Sequence, residues 1–470
     1  MIIRNLVIIW LISLQACFCQ VVSSEKSISP NVIIILADDL GYADVGFNGC
    51  KDIPTPQIDK IAKEGVKFTN AYVSYAVCGP SRAGLITGRY QDRFGFGRNP
   101  LFAPNDPKMG LPLTEETLAE ALKKADYKSI ALGKWHLGAH ETLKPLRRGF
   151  DSFYGFLSGG HQYFPELLTL QDEFEVKAQY DAYKTKLLKD ETRVEETEYL
   201  TDALSREAVN YIETYKEQPF FMYLAYNAPH APLQAPEKYL KRFDTIKNTK
   251  RKTYAAMVSA IDDGVGKILK KLDELNLSEN TMIFFLSDNG GPEIKNGSDN
   301  GILRGGKGDL LEGGIRVPFA VKWPKKIPKG EVYNDAIISL DIFSTIISQT
   351  EKTISPKNDL DGVNLIPYLI GKKTESPHDY IFWRKFDRLN YALRNAAGDK
   401  IIIEKNKVKL FNLIDNIQED PNLIKQNNIL SNELKQQFDN WNNQMIDPVF
   451  LGLLSDKLYN EKHPERFKKP

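Results

Sequence analysis

Cysteine is scarce in this chain, which has 470 residues and only four cysteines, at positions 17, 19, 50 and 78. Small secreted modules that depend on several disulfides carry many more. A chain of this length can bury a large apolar core, so it needs no disulfide framework. The low count therefore excludes a disulfide-rich module.

An excess of charge of one sign is also missing. Lys and Arg number 62 and Asp and Glu number 61, so the formal net charge is +1. Such a chain has no overall attraction for nucleic acid, and we expect no nucleic-acid partner. An anionic ligand would have to be bound by a local basic cluster. With 42% hydrophobic and 26% charged residues, the composition excludes collagen-like, coiled-coil and disordered classes.

Long apolar runs are absent as well. The apolar run at residues 6–14 has 9 residues, too few for a helix to cross a bilayer core about 30 Å thick, so we expect no transmembrane span. Arg4 before it and Ala16 after it predict a signal peptide over residues 1–19. Residues 14–17 also resemble a bacterial lipobox. We expect an exported protein that is secreted, periplasmic or lipid-anchored through Cys17; the alternative is a buried N-terminal helix.

The remaining chain alternates between strand and helix patterns. Residues 31–36 (NVIIIL) are typical of a strand buried on both faces of a parallel sheet. Periodicity and capping signals predict further strands at 129–132, 220–225, 281–286 and 317–321, and helices at 58–64, 199–215, 254–272 and after an N-cap at Thr114. The predicted fold is α/β, a large and mostly parallel sheet sandwiched by helices.

The pattern changes after residue 360. Short strands are predicted in succession at 380–383, 391–394, 400–404 and 409–411, which indicates a small C-terminal antiparallel sheet. The Lys- and Glu-rich residues 184–198 are predicted to be a solvated surface segment.

Polar residues follow four of the predicted strands. They are Asp38-Asp39, Gly133 to His136, Asn227 with His230, and Asp288 to Gly291. Ligands of open α/β sheets bind outside the carboxyl ends of the strands, so these groups would share one rim. Asp38, Asp39, Asp288 and Asn289 offer the hard oxygen atoms that suit Ca²⁺ or Mg²⁺. The alternative is that each cluster is a turn or helix cap and the two acidic pairs never meet.

The segment at residues 78–88, CGPSRAGLITG, is the sharpest feature. Pro80 favours a helix N-terminus, which attracts anions through its free N–H groups and dipole. A single cysteine is otherwise more often a small buried apolar residue.

This segment resembles the sulfatase signature C-x-P-S-R-x-x-x-x-T-G. Residues 38–42 (DDLGY), 132–138 (LGKWHLG), 229–233 (PHAPL), 287–291 (SDNGG) and 303–307 (LRGGK) also resemble segments of that family. The resemblance is to formylglycine-dependent sulfatases of the alkaline-phosphatase-like fold, of the arylsulfatase A and N-acetylgalactosamine-6-sulfatase type. It implies a catalytic domain over residues 28–360 and a small C-terminal α+β subdomain over 361–470.

The resemblance also implies roles for single residues. A maturation enzyme would convert Cys78 to Cα-formylglycine, whose hydrated diol attacks sulfur and then releases sulfate. The metal, Ca²⁺ with Mg²⁺ as the alternative, would be held by Asp38, Asp39, Asp288, Asn289 and residue 78. Three residues would hold and deprotonate the diol: Arg82, Lys134 and His136. Two would bind sulfate, His230 and Lys307, and one of them would protonate the leaving oxygen.

The expected substrate is a sulfated oligo- or polysaccharide, either an algal galactan or a glycosaminoglycan. Arg93, Arg98, His161 and Arg384 are predicted to contact it, since Arg suits sulfate groups. Two other functions stay open. One is a phosphonate monoester or phosphodiester hydrolase with the same nucleophile, and the other is a sulfated-glycan binder without turnover, in which Cys78 stays a thiol.

Overall fold

The computed structural model describes residues 29–468. The predicted signal peptide, with Cys17 and Cys19, lies outside these residues. Within residues 29–468, no helix is both long and apolar enough to cross a membrane.

The strands of the described residues fall into three sheets. In chain order they are β1 (Asn31–Ala37), β2 (Val66–Phe68), β3 (Ala71–Tyr72), β4 (Lys128–Lys134), β5 (Ser152–Phe156), β6 (Leu187–Lys189), β7 (Thr192–Val194), β8 (Phe220–Ala225), β9 (Thr281–Ser287), β10 (Phe319–Lys322), β11 (Glu331–Tyr333), β12 (Ile337–Ile338), β13 (Tyr380–Lys385), β14 (Asn390–Asn395), β15 (Asp399–Glu404) and β16 (Lys407–Asn412).

The α-helices of the same residues lie mostly between these strands. They are α1 (Pro56–Lys63), α2 (Cys78–Thr87), α3 (Leu118–Lys123), α4 (Leu200–Thr214), α5 (Glu237–Leu240), α6 (Thr249–Glu274), α7 (Glu293–Asn296), α8 (Glu312–Ile315), α9 (Asp341–Ile347), α10 (Ile366–Leu369), α11 (Asn428–Asn442) and α12 (Asp456–Lys462).

The largest sheet has ten strands in the order β11-β2-β10-β9-β1-β8-β4-β5-β6-β7. Its five central strands, β9 to β5, are parallel to their neighbours. Antiparallel strands are added on both sides, β10 next to β9 and β6 next to β5. The predicted α/β class and mostly parallel sheet are confirmed.

Strand β1 lies at the centre of this sheet, and every one of its residues is buried. Val32, Ile34 and Leu36 belong to the core that includes α2, α3 and α9. The alternate residues, such as Ile33 and Ile35, belong to the core that includes α1, α4 and α6. A strand covered on both faces needs an unbroken apolar sequence, and residues 32–37 provide it.

The predicted small C-terminal sheet is also confirmed. Strands β13 to β16 form an antiparallel meander, against which α11 packs. The boundary between residues 360 and 361 stays a prediction. The chain on its C-terminal side remains tied to the larger part, because Asp361 donates its backbone N–H to the Gly88 carbonyl oxygen at 3.0 Å.

One local prediction is wrong. The helix after Thr114 is capped by Thr117, whose side chain accepts from the Glu120 N–H while the Glu120 carboxylate accepts from the Thr117 N–H. Thr114 has no Glu or Gln three residues later and cannot form this capping box. Residues 184–198 are mostly exposed or half-buried, as predicted, and they contain the β6–β7 edge hairpin, in which Leu187 and Leu188 are buried.

Candidate active site

Strand register brings the two acidic pairs together. Ala37, the last residue of β1, is paired with Ser287, the last residue of β9. Asp38 and Asp39 therefore leave the sheet beside Asp288 and Asn289. The Asp39 N–H donates to Asp288 Oδ1 at 3.2 Å, which joins residues 249 positions apart.

The oxygen atoms of this group converge on one point. One ligand atom from each of Asp38, Asp39, Cys78 and Asp288 lies within 4.8 Å of the others, and all four residues are buried. Burial raises the pKa of Asp288, and the neighbouring Asp38 carboxylate raises it further. Like charges in a buried position need a cation to compensate them.

Asn289 supplies a direct indication that a metal fits here. Its Nδ2 group donates to Asp39 Oδ1 at 2.7 Å. Its Oδ1 atom is buried and accepts no hydrogen bond from the described residues. A buried amide oxygen without a donor, next to three carboxylates, matches the oxygen ligands that Ca²⁺ and Mg²⁺ prefer.

Cys78 is the first residue of α2, and only 1% of its surface is exposed. Its Sγ atom lies 3.4 Å from Asp38 Oδ1. Burial raises the pKa of the Cys78 thiol to about 12, with Asp288 contributing in the same direction. As a cysteine, residue 78 is therefore a neutral thiol at pH 7.

Arg82 and Lys134 pair with the same carboxylates on the buried side of the cluster. Arg82 lies one helical turn after Cys78, and its Nε donates to Asp288 Oδ2 at 2.9 Å. Its Nη1 donates to the carbonyl oxygen of Lys134 at 3.1 Å. The Lys134 ammonium, at the end of β4, donates to Asp38 Oδ2 at 2.6 Å. Both side chains are fully buried, so their charges compensate the carboxylates directly.

Lys307 and His230 lie on the outer side of the cluster. Lys307 Nζ is 2.8 Å from Asp39 Oδ1. Burial alone would raise the pKa of Asp39, but Lys307 and His230 lower it to about 2. His230 Nδ1 lies 2.5 Å from the Ala231 carbonyl oxygen, so its Nε2, 3.7 Å from Asp39 Oδ2, is the atom that faces the site. Burial and the Lys307 charge lower the pKa of His230 to about 3.

His136 takes a backbone conformation with φ +56°, which side-chain-bearing residues rarely adopt. Its Nδ1 atom is buried and has no hydrogen-bond partner among the described residues. A Cβ atom on Gly159 would lie 2.7 Å from His136 Nε2, so a side chain there would displace the ring. Burial, with the Lys134 charge, lowers the pKa of His136 well below its usual value.

Three of the four predicted substrate-contact residues lie elsewhere. His161 is fully buried, stacks on Phe156 and directs both ring nitrogens at backbone carbonyl oxygens. Arg93 pairs with Asp361 at 2.6 Å. Arg384 pairs with Asp92 at 3.3 Å inside the protein. Their placement does not support the predicted contact with substrate.

Arg98, the fourth, lines a cavity of about 610 Å³ that also reaches Lys307. The sequence analysis missed the other basic residues of this cavity, Lys295, Lys385 and Arg388. Lys385 directly follows Arg384, and successive side chains of a strand point to opposite faces. Strand periodicity was the available signal, and it separates the buried Arg384 from Lys385 in the cavity wall.

Comparisons with known proteins agree with this geometry. A family described as "Sulfatase" matches residues 30–352, and one described as "N-sulphoglucosamine sulphohydrolase, C-terminal" matches residues 307–447. N-acetylgalactosamine-6-sulfatase of Homo sapiens is 35% identical over 376 residues, which are 77% of this chain and 69% of that protein.

Solved structures are similar over nearly the whole chain. Ps i-CgsB in complex with k-i-k-neocarrahexaose is 38% identical, with a TM-score of 0.82, over 94% of this chain and 100% of that chain. Phosphonate monoester hydrolase of Agrobacterium radiobacter has a TM-score of 0.62 over 92% of this chain and 96% of that chain; at 19% identity it shares the fold alone. The sulfatase family matches two thirds of this chain, and the signature at residues 78–88 lies at the carboxylate cluster. This chain therefore belongs to the sulfatases and is a sulfuric ester hydrolase.

Proposed function

We propose that this protein hydrolyses sulfate esters of a sulfated galactan, with a formylglycine at position 78 and a bound divalent cation. The observation that carries the proposal is the convergence of Asp38, Asp39, Cys78 and Asp288 beside a cavity lined by basic residues. Ps i-CgsB, bound to a carrageenan hexasaccharide, is similar to nearly the whole chain, which favours a galactan. A glycosaminoglycan is the second candidate, because of the similarity to N-acetylgalactosamine-6-sulfatase.

The cation would be held by Asp38, Asp39, Asp288 and Asn289. When bound, it supplies positive charge that polarises the sulfate oxygens. We propose Ca²⁺, since a cluster rich in carboxylates with an amide oxygen suits it, with Mg²⁺ as the alternative.

Residue 78 would act after a maturation enzyme has oxidised its side chain to an aldehyde. Water adds to this aldehyde and gives a geminal diol at the start of α2. One hydroxyl loses its proton and forms a bond to the substrate sulfur, while the bond from sulfur to the sugar oxygen breaks. Arg82 and Lys134 would stabilise the anionic oxygen, and His136, whose lowered pKa keeps it neutral, would accept the proton.

The sugar oxygen must gain a proton as it leaves. One of His230 and Lys307, both on the outer side of the cluster, would donate it. The lowered pKa of His230 favours Lys307, which stays protonated beside Asp39 and also attracts the sulfate. In the second step the remaining hydroxyl of residue 78 loses its proton, the carbonyl re-forms, and the bond from the side-chain carbon of residue 78 to the sulfated oxygen breaks. Sulfate leaves with that oxygen and the aldehyde is restored, so the water that hydrates the aldehyde again is the only other reactant.

Export belongs to the same proposal, because a polymeric galactan cannot reach an enzyme inside the cell. The proposed signal is the segment at residues 1–19, with Cys17 as a lipid attachment point in the alternative form. Mass spectrometry of the mature N-terminus separates a free N-terminus from a lipidated Cys17.

The test uses protein produced together with a formylglycine-generating enzyme. Sulfate release from carrageenan and chondroitin sulfate oligosaccharides is measured by ion chromatography. We expect release from carrageenan, with loss of at least about 10³-fold in Cys78→Ala, because the nucleophile is removed. Cys50→Ala, at the other described cysteine, is the matched control and keeps the wild-type rate. Release from chondroitin sulfate alone would favour the second candidate.

Two outcomes would contradict the proposed chemistry. Faster turnover of an aryl phosphodiester than of the matching aryl sulfate would point to the phosphodiester hydrolase. Mass spectrometry of the peptide that contains residue 78 gives the other: an unmodified thiol in fully active protein would exclude the formylglycine mechanism. A separate result, binding of the oligosaccharide without any sulfate release, would contradict the enzymatic activity itself and indicate the non-catalytic binder.

A further inference from the structure

The cavity next to the active site is lined by six separate segments of the chain. Two of them are Pro292 to Lys295 and the loop from Gly305 to Asp309. The others are residues 385–388, where β13 turns towards β14, Gly452 to Ser455, and short stretches at 75–77 and 97–99. At about 610 Å³ the cavity lies within the usual size of a ligand pocket. Lys307 belongs both to this cavity and to the catalytic cluster, so the two are adjacent.

Charges in the cavity wall are unbalanced. Arg98 pairs with Asp387, because its Nε donates to Asp387 Oδ2 at 2.9 Å. The other two lining carboxylates, Glu293 and Asp309, accept backbone N–H groups from Asn300 at 2.8 Å and from Gly306 at 3.1 Å and keep their negative charge. Lys295 and Arg388 are exposed and form no ion pair within residues 29–468. Apart from Lys307, which pairs with Asp39, the lining then has three cations and two carboxylates, a surplus of one positive charge.

Lys385 connects this surplus charge to the active-site loop. Its ammonium donates to the carbonyl oxygen of Gly308, the residue after Lys307. Burial lowers the pKa of Lys385, and the neighbouring Arg388 charge lowers it further, while the Asp309 carboxylate raises it. No carboxylate of the described residues forms an ion pair with this ammonium, so an anion that enters the cavity would gain it as a charged donor.

We propose that Lys385, Arg388 and Lys295 bind a second sulfate group of the same substrate chain, on a sugar next to the one that loses sulfate. This inference rests on the proposed function and adds a preference to it. The enzyme would select oligosaccharides that are sulfated on neighbouring sugars over those with a single sulfate. Ile294 and Leu454, large apolar residues exposed by 90% and 86%, line the same cavity and can pack against the C–H faces of the sugars.

The test compares two carrageenan oligosaccharides of equal length, with one and with two sulfates per disaccharide. The readout is the ratio of kcat/KM for the doubly sulfated to the singly sulfated substrate. We expect wild-type protein to favour the doubly sulfated substrate and Lys385→Gln to lower the ratio about 10-fold, because one charged hydrogen bond is lost. Arg388→Gln and Lys295→Gln, at exposed positions where folding is not at risk, lower it as well. The fall lies mainly in KM.

Lys407→Gln is the matched control, since it removes the same charge from an exposed position of the same small sheet, outside the cavity. It keeps the wild-type ratio. An uronic-acid-containing oligosaccharide with one sulfate tests whether a carboxylate serves in place of the second sulfate; equal use of both would widen the inference to any second anion and overturn its restriction to sulfate.

The two proposals fail in different ways. A wild-type ratio near one, or a ratio unchanged in all three variants, overturns the inference while sulfate release continues. Absence of sulfate release from every oligosaccharide, by protein whose residue 78 is formylglycine, would instead contradict the proposed function.

Discussion

This molecule has two clusters of buried charge, and their carboxylates are arranged differently. The first is the catalytic cluster of Asp38, Asp39 and Asp288 with its basic neighbours. The second lies under the C-terminal sheet, where Lys400 Nζ is 2.9 Å from Glu312 Oε1 and 2.8 Å from Glu419 Oε1.

In the second cluster, which we call the Lys400 cluster, the carboxylates are separated by the cation between them. Tyr72 donates to Glu312 Oε2 at 2.7 Å, and Arg394 donates to the Tyr72 hydroxyl at 2.7 Å. In the catalytic cluster Arg82, Lys134 and Lys307 also pair with the carboxylates. One atom of each carboxylate nevertheless converges with Cys78 on a single point, and Asn289 Oδ1 receives no donor from the described residues. Burial of charge alone therefore does not mark an active site, whereas convergence of several oxygen ligands on one point does.

Metal removal gives the largest expected effect of this difference. Treatment with EDTA lowers sulfate release at least about 10³-fold, because a charge that polarises the sulfate oxygens is lost. It also lowers the Tm, since a ligand that binds only the folded state stabilises it. Ca²⁺ restores both. Activity that survives in protein whose metal content is measured as zero would show that the catalytic cluster works without a metal.

Lys400→Met tests the other cluster. It leaves two carboxylates buried without their cation, and we expect a loss of about 3–5 kcal/mol in the free energy of unfolding. Denaturant titration measures it. Lys409→Met, in the same sheet but half exposed beside Glu404, changes stability by less than about 1 kcal/mol. The Tm shift caused by EDTA stays the same in Lys400→Met if the two clusters are independent.

Gly159→Ala tests whether catalysis depends on the exact position of the His136 ring. The new Cβ would push the His136 ring, and we expect kcat to fall about 10- to 100-fold. The free energy of unfolding changes little, because the ring is the end of a movable side chain. Gly266→Ala, whose Cβ meets only the flexible Gln57 side chain, is the control. A wild-type kcat in Gly159→Ala would show that the His136 position is not critical.

The smallest effect concerns an ion pair between helix α9 and the segment before β13. His378 Nε2 lies 2.8 Å from Asp341 Oδ1. Burial alone would lower the pKa of His378, but Asp341 raises it above 6.5. The protonated form therefore stabilises the fold, fully below about pH 6.5 and less as the pH rises through the raised value. The difference in the free energy of unfolding between wild type and His378→Gln should decrease as the pH rises. A difference that increases with pH would contradict the raised pKa of His378.

Sequence patterns predicted the parts of the molecule that obey local rules. The apolar run at β1 and the polar residues after β1, β4, β8 and β9 place the catalytic rim, because parallel strands end on the same edge. Capping at Thr117 was equally local and could have been found from Glu120.

Other features depend on tertiary contact and had no signal in the sequence. Gly159 matters only because His136 lies against it. Lys295 and Arg388 are 93 positions apart and share a cavity only after the small sheet has docked. His161 was expected at the substrate, but the fold turns its ring into the core against Phe156.

The pairing of β1 with β9 also has a consequence in time. About 250 residues separate Asp39 from Asp288, and a ribosome that adds 5–20 residues per second needs on the order of 10 to 50 s to make them. Cys78 is made early in that interval, and for the rest of it the strand that completes its surroundings does not yet exist. Once β9 has docked, the Cys78 side chain is 1% exposed. Any enzyme that must reach this sulfur therefore has its best access while the chain is still being synthesised.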